Sequence, residues 1–149
     1  MVCHDLQLGS MHRSSARIGY DDNRGDYILR PRDHIAFRYE VLDVLGKGSF
    51  GQVVRAFDYK VKEYVAVKII RNKKRFQQPA LIEVKILKLL QDALQKDPTW
   101  PIITMLDAYT FRNHICINFE LLSVNLYEYL KKDKFRGLPI AKIRRFVCP

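Results

Sequence analysis

Three glycines in the first part of the chain have a spacing that suits phosphate binding. Gly46, Gly48 and Gly51 form a G-x-G-x-x-G pattern within the stretch LGKGSFGQVV. Glycine permits positive φ and lets the backbone approach an anion closely. The pattern alone is a weak signal, because dinucleotide-binding folds, other phosphate-binding loops and plain hairpin turns all use it.

The residues after the third glycine narrow these alternatives. QVVRAFD, which follows directly, is rich in β-branched and aromatic residues and predicts a strand. The dinucleotide fingerprint instead needs a helix that opens on the glycines. Residues 46–51 are therefore predicted to join two strands, which leaves a phosphate-binding loop or a plain hairpin turn.

A single lysine interrupts the next apolar segment. In YVAVKII, Lys68 stands in a predicted strand of almost continuous apolar residues. A buried ammonium is costly unless it is paired. Lys68 therefore needs either an anionic partner or, on an edge strand, a path to solvent.

A following helix offers that partner. Pro79 can occupy the first position of a helix that runs to about residue 95. Positions that share one face of this helix are Glu83, Ile86, Leu87, Leu90 and Leu94. The lone carboxylate of Glu83 could form an ion pair with the lone ammonium of Lys68. Alternatively, Glu83 lies at the edge of this apolar face and reaches water.

The remaining pattern predicts an α+β fold. Predicted strands cover residues 39–45, 52–58, 64–70, 102–107 and 113–120, and further helices cover Leu126–Lys132 and a segment beginning near Pro139. The order β-β-β-α-β-β predicts an antiparallel sheet packed against one helix. Residues 1–26 are polar without a regular period and are predicted to form a flexible tail.

Composition limits the function classes. The 149 residues suit one domain, and they contain no long apolar run and no signal-peptide pattern, so no membrane segment is expected. Three scattered cysteines predict a reducing, cytoplasmic or nuclear setting without a disulfide framework or zinc site. The net charge of +10 indicates a solvated basic surface, or attraction to nucleic acid, anionic lipid or a phosphorylated ligand.

The glycine loop with Val53, the V-A-x-K segment and the helix glutamate together resemble the protein-kinase signature. Residues 20–146 are similar to the N-terminal part of the dual-specificity tyrosine-phosphorylation-regulated kinase (DYRK) family. The segments that carry the resemblance are YDDNRGDY, RYEVLDVLGKGSFGQVV, KIIRNKKRF, FRNHICINFELLSVNLYEYLKK and FRGL. DHIAFRYE favours the branch with the second, third and fourth members.

The resemblance implies a kinase N-lobe with a five-stranded antiparallel sheet and one helix, αC, followed by the hinge and the start of the C-lobe. Residues 1–38 would form the flexible tail and a family-specific segment that precedes the kinase domain. Residues 39–122 would form the N-lobe and hinge, and residues 123–149 a truncated start of the C-lobe.

The resemblance also implies an ATP site. Its residues would be Leu45, Gly46, Lys47, Gly48, Ser49, Phe50, Gly51, Gln52, Val53, Ala66, Lys68, Glu83, Phe119, Glu120, Leu121, Leu122 and Asn125. Leu45, Val53 and Ala66 would enclose the adenine, and backbone N–H groups of the glycine loop would approach the phosphates. Phe50 would cover the phosphates from water.

The other implied roles divide between the phosphates and the far end of the pocket. Lys68 would contact the α- and β-phosphates and be held by Glu83. Phe119 would be the gatekeeper at the back of the pocket. Residues 120–122 would be the hinge, whose backbone groups bond the adenine edge, and Asn125 could reach the ribose.

The sequence departs from the family in one large respect. A protein kinase uses an H-R-D-x-x-x-x-N loop and a D-F-G motif to accept the hydroxyl proton and to hold magnesium. The 149 residues contain neither H-x-D nor D-F-G. The chain therefore has no predicted catalytic residue and no predicted metal ligand, although the family implies Mg²⁺. Pro149, close after Phe146, suggests a truncated product or an incomplete gene model.

Three functions remain open. By family, the protein is expected to be an ATP-dependent kinase, monomeric, acting on Ser/Thr of protein substrates and on its own Tyr, with this chain itself an inactive fragment. Alternatively, the chain acts only by binding a partner or as a regulatory fragment. The third alternative is a basic module that binds nucleic acid or an importin through residues 71–75, RNKKR. A solvated turn is the favoured explanation of these residues, and nucleic acid is not expected.

Overall fold

A computed structural model describes residues 19–96 and 101–147 of the chain. The elements are β1 (His34–Ile35), β2 (Tyr39–Gly48), β3 (Gly51–Asp58), β4 (Glu63–Ile70), α1 (Lys74–Lys96), β5 (Met105–Phe111), β6 (His114–Glu120), α2 (Leu126–Lys132) and α3 (Ile140–Val147). The predicted α+β class is confirmed. No helix in these ranges is both long and apolar enough to span a bilayer.

One sheet contains all the described strands in the order β1-β2-β3-β4-β6-β5, and each neighbouring pair is antiparallel. The five long strands correspond to the five expected, although the bounds of β5 differ from the prediction. The two-residue β1 adds a sixth at the edge, because a tight turn returns the chain from Ile35 onto Tyr39. β4, the strand that carries Lys68, lies inside the sheet between β3 and β6.

Strand alternation determines the direction of Lys68. Val65, Val67 and Ile69 of β4 belong to one buried cluster, whereas Ile70 belongs to a second cluster with α1. Successive side chains of a strand point to opposite faces. Lys68, two residues before Ile70, therefore faces the helix.

Helix α1 covers the second cluster. Phe76, Ala80 and Val84 are buried against Ile117 and Phe119 of β6. These helix positions follow at i+4 spacing, which places them on one face. Burial of this apolar stripe is what holds the helix on the sheet.

The helix starts earlier than the sequence predicted. It begins at Lys74, so Pro79 lies inside it rather than at its first position. Pro79 has no N–H to donate to the carbonyl four residues earlier. The additional turn buries Phe76, and that burial offsets the missing hydrogen bond.

The predicted apolar stripe of α1 was also wrong in register. The buried face contains residues 76, 80 and 84, with Leu87 packed beside them. Ile86, expected to face inward, is 50% exposed, and Ile82 and Leu89 are exposed as well. Glu83 consequently lies at the edge of the buried stripe, where its carboxylate reaches both the sheet and solvent.

The fourth long strand lies later than predicted. Residues 102–104 precede β5, which instead continues to Phe111. Arg112 and Asn113 both have positive φ, of 48° and 67°, and form the turn into β6. Paired positive φ values characterise the tight hairpin turn, and that turn fixes the register of the two strands.

Residues 19–26, predicted to be part of a flexible tail, are instead folded against the sheet. Asp21 and Tyr27 form an antiparallel bridge, and the Asp22 carboxylate accepts the N–H groups of Arg24 and Asp26 at 2.8 and 2.9 Å. Burial alone would raise the pKa of Asp22, but these backbone N–H groups hold it below its ordinary value. The prediction for residues 1–18 lies outside the described residues.

Candidate nucleotide-binding site

The glycine-rich loop closes the hairpin between β2 and β3. Gly48 and Gly51 are its last paired residues, with Ser49 and Phe50 at the turn. A cavity of about 310 Å³ lies beneath it, lined by residues 46–53 and Lys68. The structure therefore brings the predicted loop and the predicted lysine together around one space.

The three glycines are required for different reasons. Gly51 has φ of 146°, and a Cβ there would lie 2.1 Å from the carbonyl oxygen of Ile69. The fold itself thus demands glycine at this position. At Gly46 and Gly48, a Cβ would meet no atom of the described residues within 4 Å. Their small size leaves room for something other than the chain.

Lys68 and Glu83 form the predicted ion pair. Lys68 Nζ lies 2.5 Å from Glu83 Oε1, and the two side chains are 28% and 38% exposed. An ammonium has three N–H donors, and Glu83 occupies one of them. The lysine is thus held in a fixed direction at the cavity wall while retaining donors for a second anion.

Phe50 packs beside the cavity rather than only standing over it. Its ring meets the ring of Phe76 edge-to-face, with centroids 5.6 Å apart. The side chain remains half-exposed. The tip of the loop is thereby in contact with the first turn of α1.

The residues predicted to surround an adenine lie on neighbouring strands. Val53 lines the cavity, and Ala66 on β4 pairs in register with Phe119 on β6. Phe119 is buried in the cluster beneath α1. Leu45 is the extra residue at a register shift of β2 and is half-exposed. Of these four, only Val53 is among the residues that line the cavity.

The predicted hinge continues directly from β6. The Glu120 N–H donates to the Thr104 carbonyl at 3.1 Å, and the Glu120 carboxylate accepts the Thr104 N–H at 2.7 Å. Leu121 and Leu122 follow in irregular backbone, and Leu122 is exposed. None of the three residues lines the 310 Å³ cavity.

Asn125 has a structural role that the sequence analysis did not anticipate. Its side-chain oxygen accepts the Glu128 N–H at 2.7 Å, which makes Asn125 the N-cap of α2. Asparagine is among the preferred N-cap residues because it satisfies an otherwise unpaired helix N–H. It does not line the cavity.

Gln52 lines the cavity, but its side-chain amide is bonded to the N-terminal segment. Its side chain is buried, and its Nε2 donates to the carbonyl of Tyr27 at 2.6 Å. The Nε2 donor of Gln52 is therefore already occupied within the fold.

Several polar residues around the loop make contacts that the sequence did not predict. Arg71 donates two hydrogen bonds to Asp26, at 2.7 and 2.8 Å, and the hydrogen bond to this carboxylate raises the pKa of the guanidinium. Asn72 donates to Asp21 at 2.7 Å. Residues 71–75 were interpreted either as a solvated turn or as an open basic patch. Both interpretations are wrong for Arg71 and Asn72, whose side chains are bonded to the N-terminal segment. The opposite charges of YDDNRGDY and RNKKR are the only hint of this contact in the sequence, and they do not identify which residues pair.

The described residues offer no evident metal centre. Within 19–96 and 101–147, no three His, Cys, Asp or Glu side chains are grouped as metal ligands. The site as seen here consists of the glycine loop, Lys68 and Glu83.

Comparison with known proteins agrees with this geometry. The family model of the protein kinase domain matches residues 39–147. Dual specificity tyrosine-phosphorylation-regulated kinase 3 of Macaca fascicularis is 52% identical over 86% of the chain and 22% of its own length. The kinase mbk-2 of Caenorhabditis elegans, of the same description, is 56% identical over 86% of the chain and 16% of its own length.

A third relative covers more of the chain. Dual specificity tyrosine-phosphorylation-regulated kinase 4 of Homo sapiens is 52% identical over 94% of the chain and 27% of its own length. The chain thus spans between a sixth and about a quarter of the length of these relatives. It belongs to the protein kinase family and, within it, to the dual specificity tyrosine-phosphorylation-regulated kinases.

Proposed function

We propose that this chain forms the ATP-binding N-lobe region of a protein kinase of the dual-specificity type. The observation that carries the proposal is the ion pair between Lys68 and Glu83 at the wall of the cavity beneath the glycine loop. A lysine held by a carboxylate in this position can present its remaining N–H donors to phosphate oxygens.

The glycine loop would supply the second half of phosphate binding. The space at Gly46 and Gly48 allows an anion to approach the backbone, and backbone N–H groups bind phosphate oxygens without adding side-chain bulk. Phe50, anchored on Phe76, would limit the access of water from the loop's tip. Exclusion of water strengthens the attraction between Lys68 and a phosphate.

The adenine would occupy the space between β3, β4 and the hinge. Val53 and Ala66, on adjacent strands, would offer apolar surface, and Phe119 on β6 would bound the space. The irregular backbone of residues 121–122 would offer N–H and C=O groups to the adenine edge. Such a mixture of apolar walls and a few polar groups is typical of nucleotide pockets.

Phosphate transfer is a separate step, and we propose that these 149 residues do not perform it by themselves. In the family, Mg²⁺ neutralises the phosphate charge that develops during transfer. The residues present do not fit that ion, because the described part offers no ligand cluster and the sequence contains no D-F-G motif. A base for the substrate hydroxyl, of the H-x-D type, is likewise not among them.

Nucleotide binding is tested by titrating the 149-residue chain with a fluorescent ATP analogue. Lys68→Ala is expected to weaken the affinity at least about tenfold, since it removes a charge-assisted contact to phosphate. Lys60→Ala is the control, because Lys60 is an exposed lysine in the turn between β3 and β4. Equal affinity of the Lys68→Ala variant and the wild type would disprove the assignment.

A radiolabelled phosphate-transfer assay tests the second half of the proposal. With a basic peptide as acceptor, no transfer above background is expected from the chain. Reproducible transfer that Lys68→Ala abolishes would show that the chain is active without the two motifs. Transfer unaffected by Lys68→Ala would instead identify a contaminating kinase and leave the expected result for the chain standing.

A binding role without catalysis is the second candidate, and the exposed face of α1 favours it. Ile82, Ile86 and Leu89 form an apolar face that the described residues leave open to solvent. Such faces mark interaction surfaces. Sedimentation of the wild type against Ile86→Gln tests this: a single monomeric species for both would count against self-association through this face.

A further inference from the structure

Arg71 links two segments that are far apart in the sequence. It lies one residue after the end of β4, and its guanidinium donates to both carboxylate oxygens of Asp26. Its backbone N–H donates to the carbonyl of Phe50 at 2.9 Å, and Nη2 lies 3.4 Å from the carbonyl oxygen of Gly48. One residue therefore contacts both the N-terminal segment and the tip of the glycine loop.

The N-terminal segment is attached at further points. We call residues 20–27 the strap. The Asn72 N–H donates to Gly25 O at 2.8 Å, and Gln52 on the loop hairpin donates to Tyr27 O. Gly25 has φ of 82°, and a Cβ there would lie 3.1 Å from the Asn72 carbonyl. The strap thus lies directly against the chain that supports the loop.

Burial makes these contacts specific. The side chains of Arg71 and Asp26 are 13% and 18% exposed. Hydrogen bonds between charged groups are stronger and more directional where water is excluded, and a two-bond contact between a guanidinium and a carboxylate fixes the plane of the guanidinium. Asp26 therefore determines where the Nη2 donor of Arg71 points.

We propose that Arg71 is a positioning residue for the glycine-rich loop, and that Asp26 of the strap sets its orientation. Asp26 of the strap holds the guanidinium of Arg71. The guanidinium and the backbone N–H of Arg71 in turn hold the carbonyls of Gly48 and Phe50. These contacts together set the height of the glycine loop above Lys68. The consequence for ATP rests on the nucleotide site proposed above. The positioning itself is measurable without nucleotide.

Amide hydrogen exchange of the free chain tests the positioning. The reporter is the residue-71 N–H, which bonds Phe50 O, and the references are the N–H groups of Val67 and Ile117 in the central strands. Asp26→Ala is expected to raise the exchange rate of the reporter at least about tenfold relative to the references, since local opening is separable from global unfolding.

Asp43→Ala is the matched control. Asp43 forms a similar two-bond contact with Arg55, between β2 and β3, away from the strap. This variant is expected to change the ratio of reporter to reference rates less than about twofold. Asp26→Ala could instead raise the exchange rates of the reporter and the references in parallel, or leave the rate of the reporter unchanged. Either result would show that the contact between Asp26 and Arg71 serves only general stability, and it would overturn the proposal.

Arg71→Lys provides a second variant should Asp26→Ala fail to fold. Lysine keeps the charge and the backbone N–H, but its ammonium lacks the planar fork that bonds two carboxylate oxygens and a carbonyl together. An intermediate increase of the reporter rate, with unchanged references, is expected. A rate equal to that of the wild type would overturn the role of the guanidinium.

Affinity for the fluorescent ATP analogue connects the positioning to the site. Asp26→Ala is expected to weaken it about fivefold, and Asp43→Ala not measurably. If the wild type binds no nucleotide, the proposed function is wrong. The ratio of the reporter and reference exchange rates still tests whether Arg71 positions the loop. If the loop loosens but the affinity is unchanged, the step from positioning to nucleotide binding is overturned.

Discussion

Lys68 Nζ lies 2.5 Å from Glu83 Oε1, although fifteen positions and a change from strand to helix separate the two residues. Strand alternation turns Lys68 toward α1, and the helix presents Glu83 at the edge of its buried stripe. Both side chains keep partial contact with solvent. The pair thus has the features of a binding element more than of a stability element.

Glu83→Gln separates these two roles. Partly exposed ion pairs contribute little to folding, so the free energy of unfolding in urea is expected to fall by at most about 1 kcal/mol. The affinity for a fluorescent ATP analogue is expected to fall about three- to tenfold, because Lys68 loses its orienting partner. Asp92→Asn, an exposed carboxylate on the same helix, is the control. A large loss of stability with unchanged affinity would contradict this view.

The sequence was sufficient for the pair because each residue was anomalous in its own local pattern. A lysine in an apolar strand and a glutamate in an apolar helical stripe both require a partner. The buried face of the helix was nevertheless predicted incorrectly, because Ile86, Leu90 and Leu94 are as apolar as the residues that are buried. Only the packing on Ile117 and Phe119 selects Phe76, Ala80 and Val84.

The strap and the start of α1 were not predictable by the same reasoning. Pro79 is a strong local signal for a helix start, and burial of Phe76 overrides it. Asp21, Asp26 and Arg71 have ordinary polar contexts in the sequence. Their pairings span 45 or more positions and arise from the tertiary fold, which a local period does not encode.

His114 provides a test of the strap's contribution to stability. Its Nδ1 lies 2.8 Å from Ile70 O and its Nε2 lies 2.7 Å from Asp21 Oδ1. The ring is 1% exposed. Both ring nitrogens therefore have a hydrogen-bonding partner inside the fold.

Asp21→Ala removes one of these partners and leaves a buried ring nitrogen of His114 without a hydrogen bond. The free energy of unfolding is expected to fall by about 1–3 kcal/mol. Urea titration at neutral pH measures it, with Glu63→Ala, an exposed carboxylate at the start of β4, as the control. Equal midpoints for the two variants would show that the contact between Asp21 and His114 is not stabilising.

Asp58 predicts an acid-dependent loss of stability. Its side chain is 3% exposed and accepts two hydrogen bonds from Arg38, at 2.7 and 2.6 Å, and one from the Lys60 N–H. Burial by itself would raise the pKa of Asp58, but the Arg38 guanidinium and the backbone donor outweigh it and lower the pKa below its ordinary value of 3.8.

Because the folded pKa is the lower one, this carboxylate stabilises the fold above pH 3.8 and ceases to do so as the pH falls through its folded value. Asp58→Asn is expected to be less stable at neutral pH and to lose less stability on acidification. Urea midpoints measured at a series of pH values from about 6 to about 2.5 test this. Parallel profiles of the variant and the wild type would contradict it.

Cys116 is expected to be unreactive in the folded chain. Burial raises the pKa of its thiol to about 12, so the thiolate, which is the nucleophile, is scarce at pH 8. Mass spectrometry after iodoacetamide treatment should find Cys116 unmodified in buffer and modified in denaturant. Rapid modification under native conditions would indicate that β6 opens locally.

Gly48→Ala and Gly51→Ala distinguish what the fold requires from what a ligand requires. At Gly51, the added Cβ would clash with the Ile69 carbonyl, and φ of 146° is rarely adopted by other residues. Gly51→Ala is therefore expected to lower the free energy of unfolding by roughly 1–3 kcal/mol. At Gly48, the new Cβ would have no neighbour within 4 Å in the described part of the chain, so stability should change by less than about 1 kcal/mol.

Nucleotide affinity should show a different order from stability. Gly48→Ala is expected to weaken binding of the fluorescent ATP analogue at least about fivefold, because its methyl group would occupy the approach to the backbone. Urea titration and nucleotide titration of both variants are compared with the wild type. If the Gly48→Ala variant binds nucleotide normally, phosphate does not use the open space at Gly48. If the Gly51→Ala variant is as stable as the wild type, the hairpin can shift to relieve the clash with the Ile69 carbonyl, and the fold does not require glycine at this position.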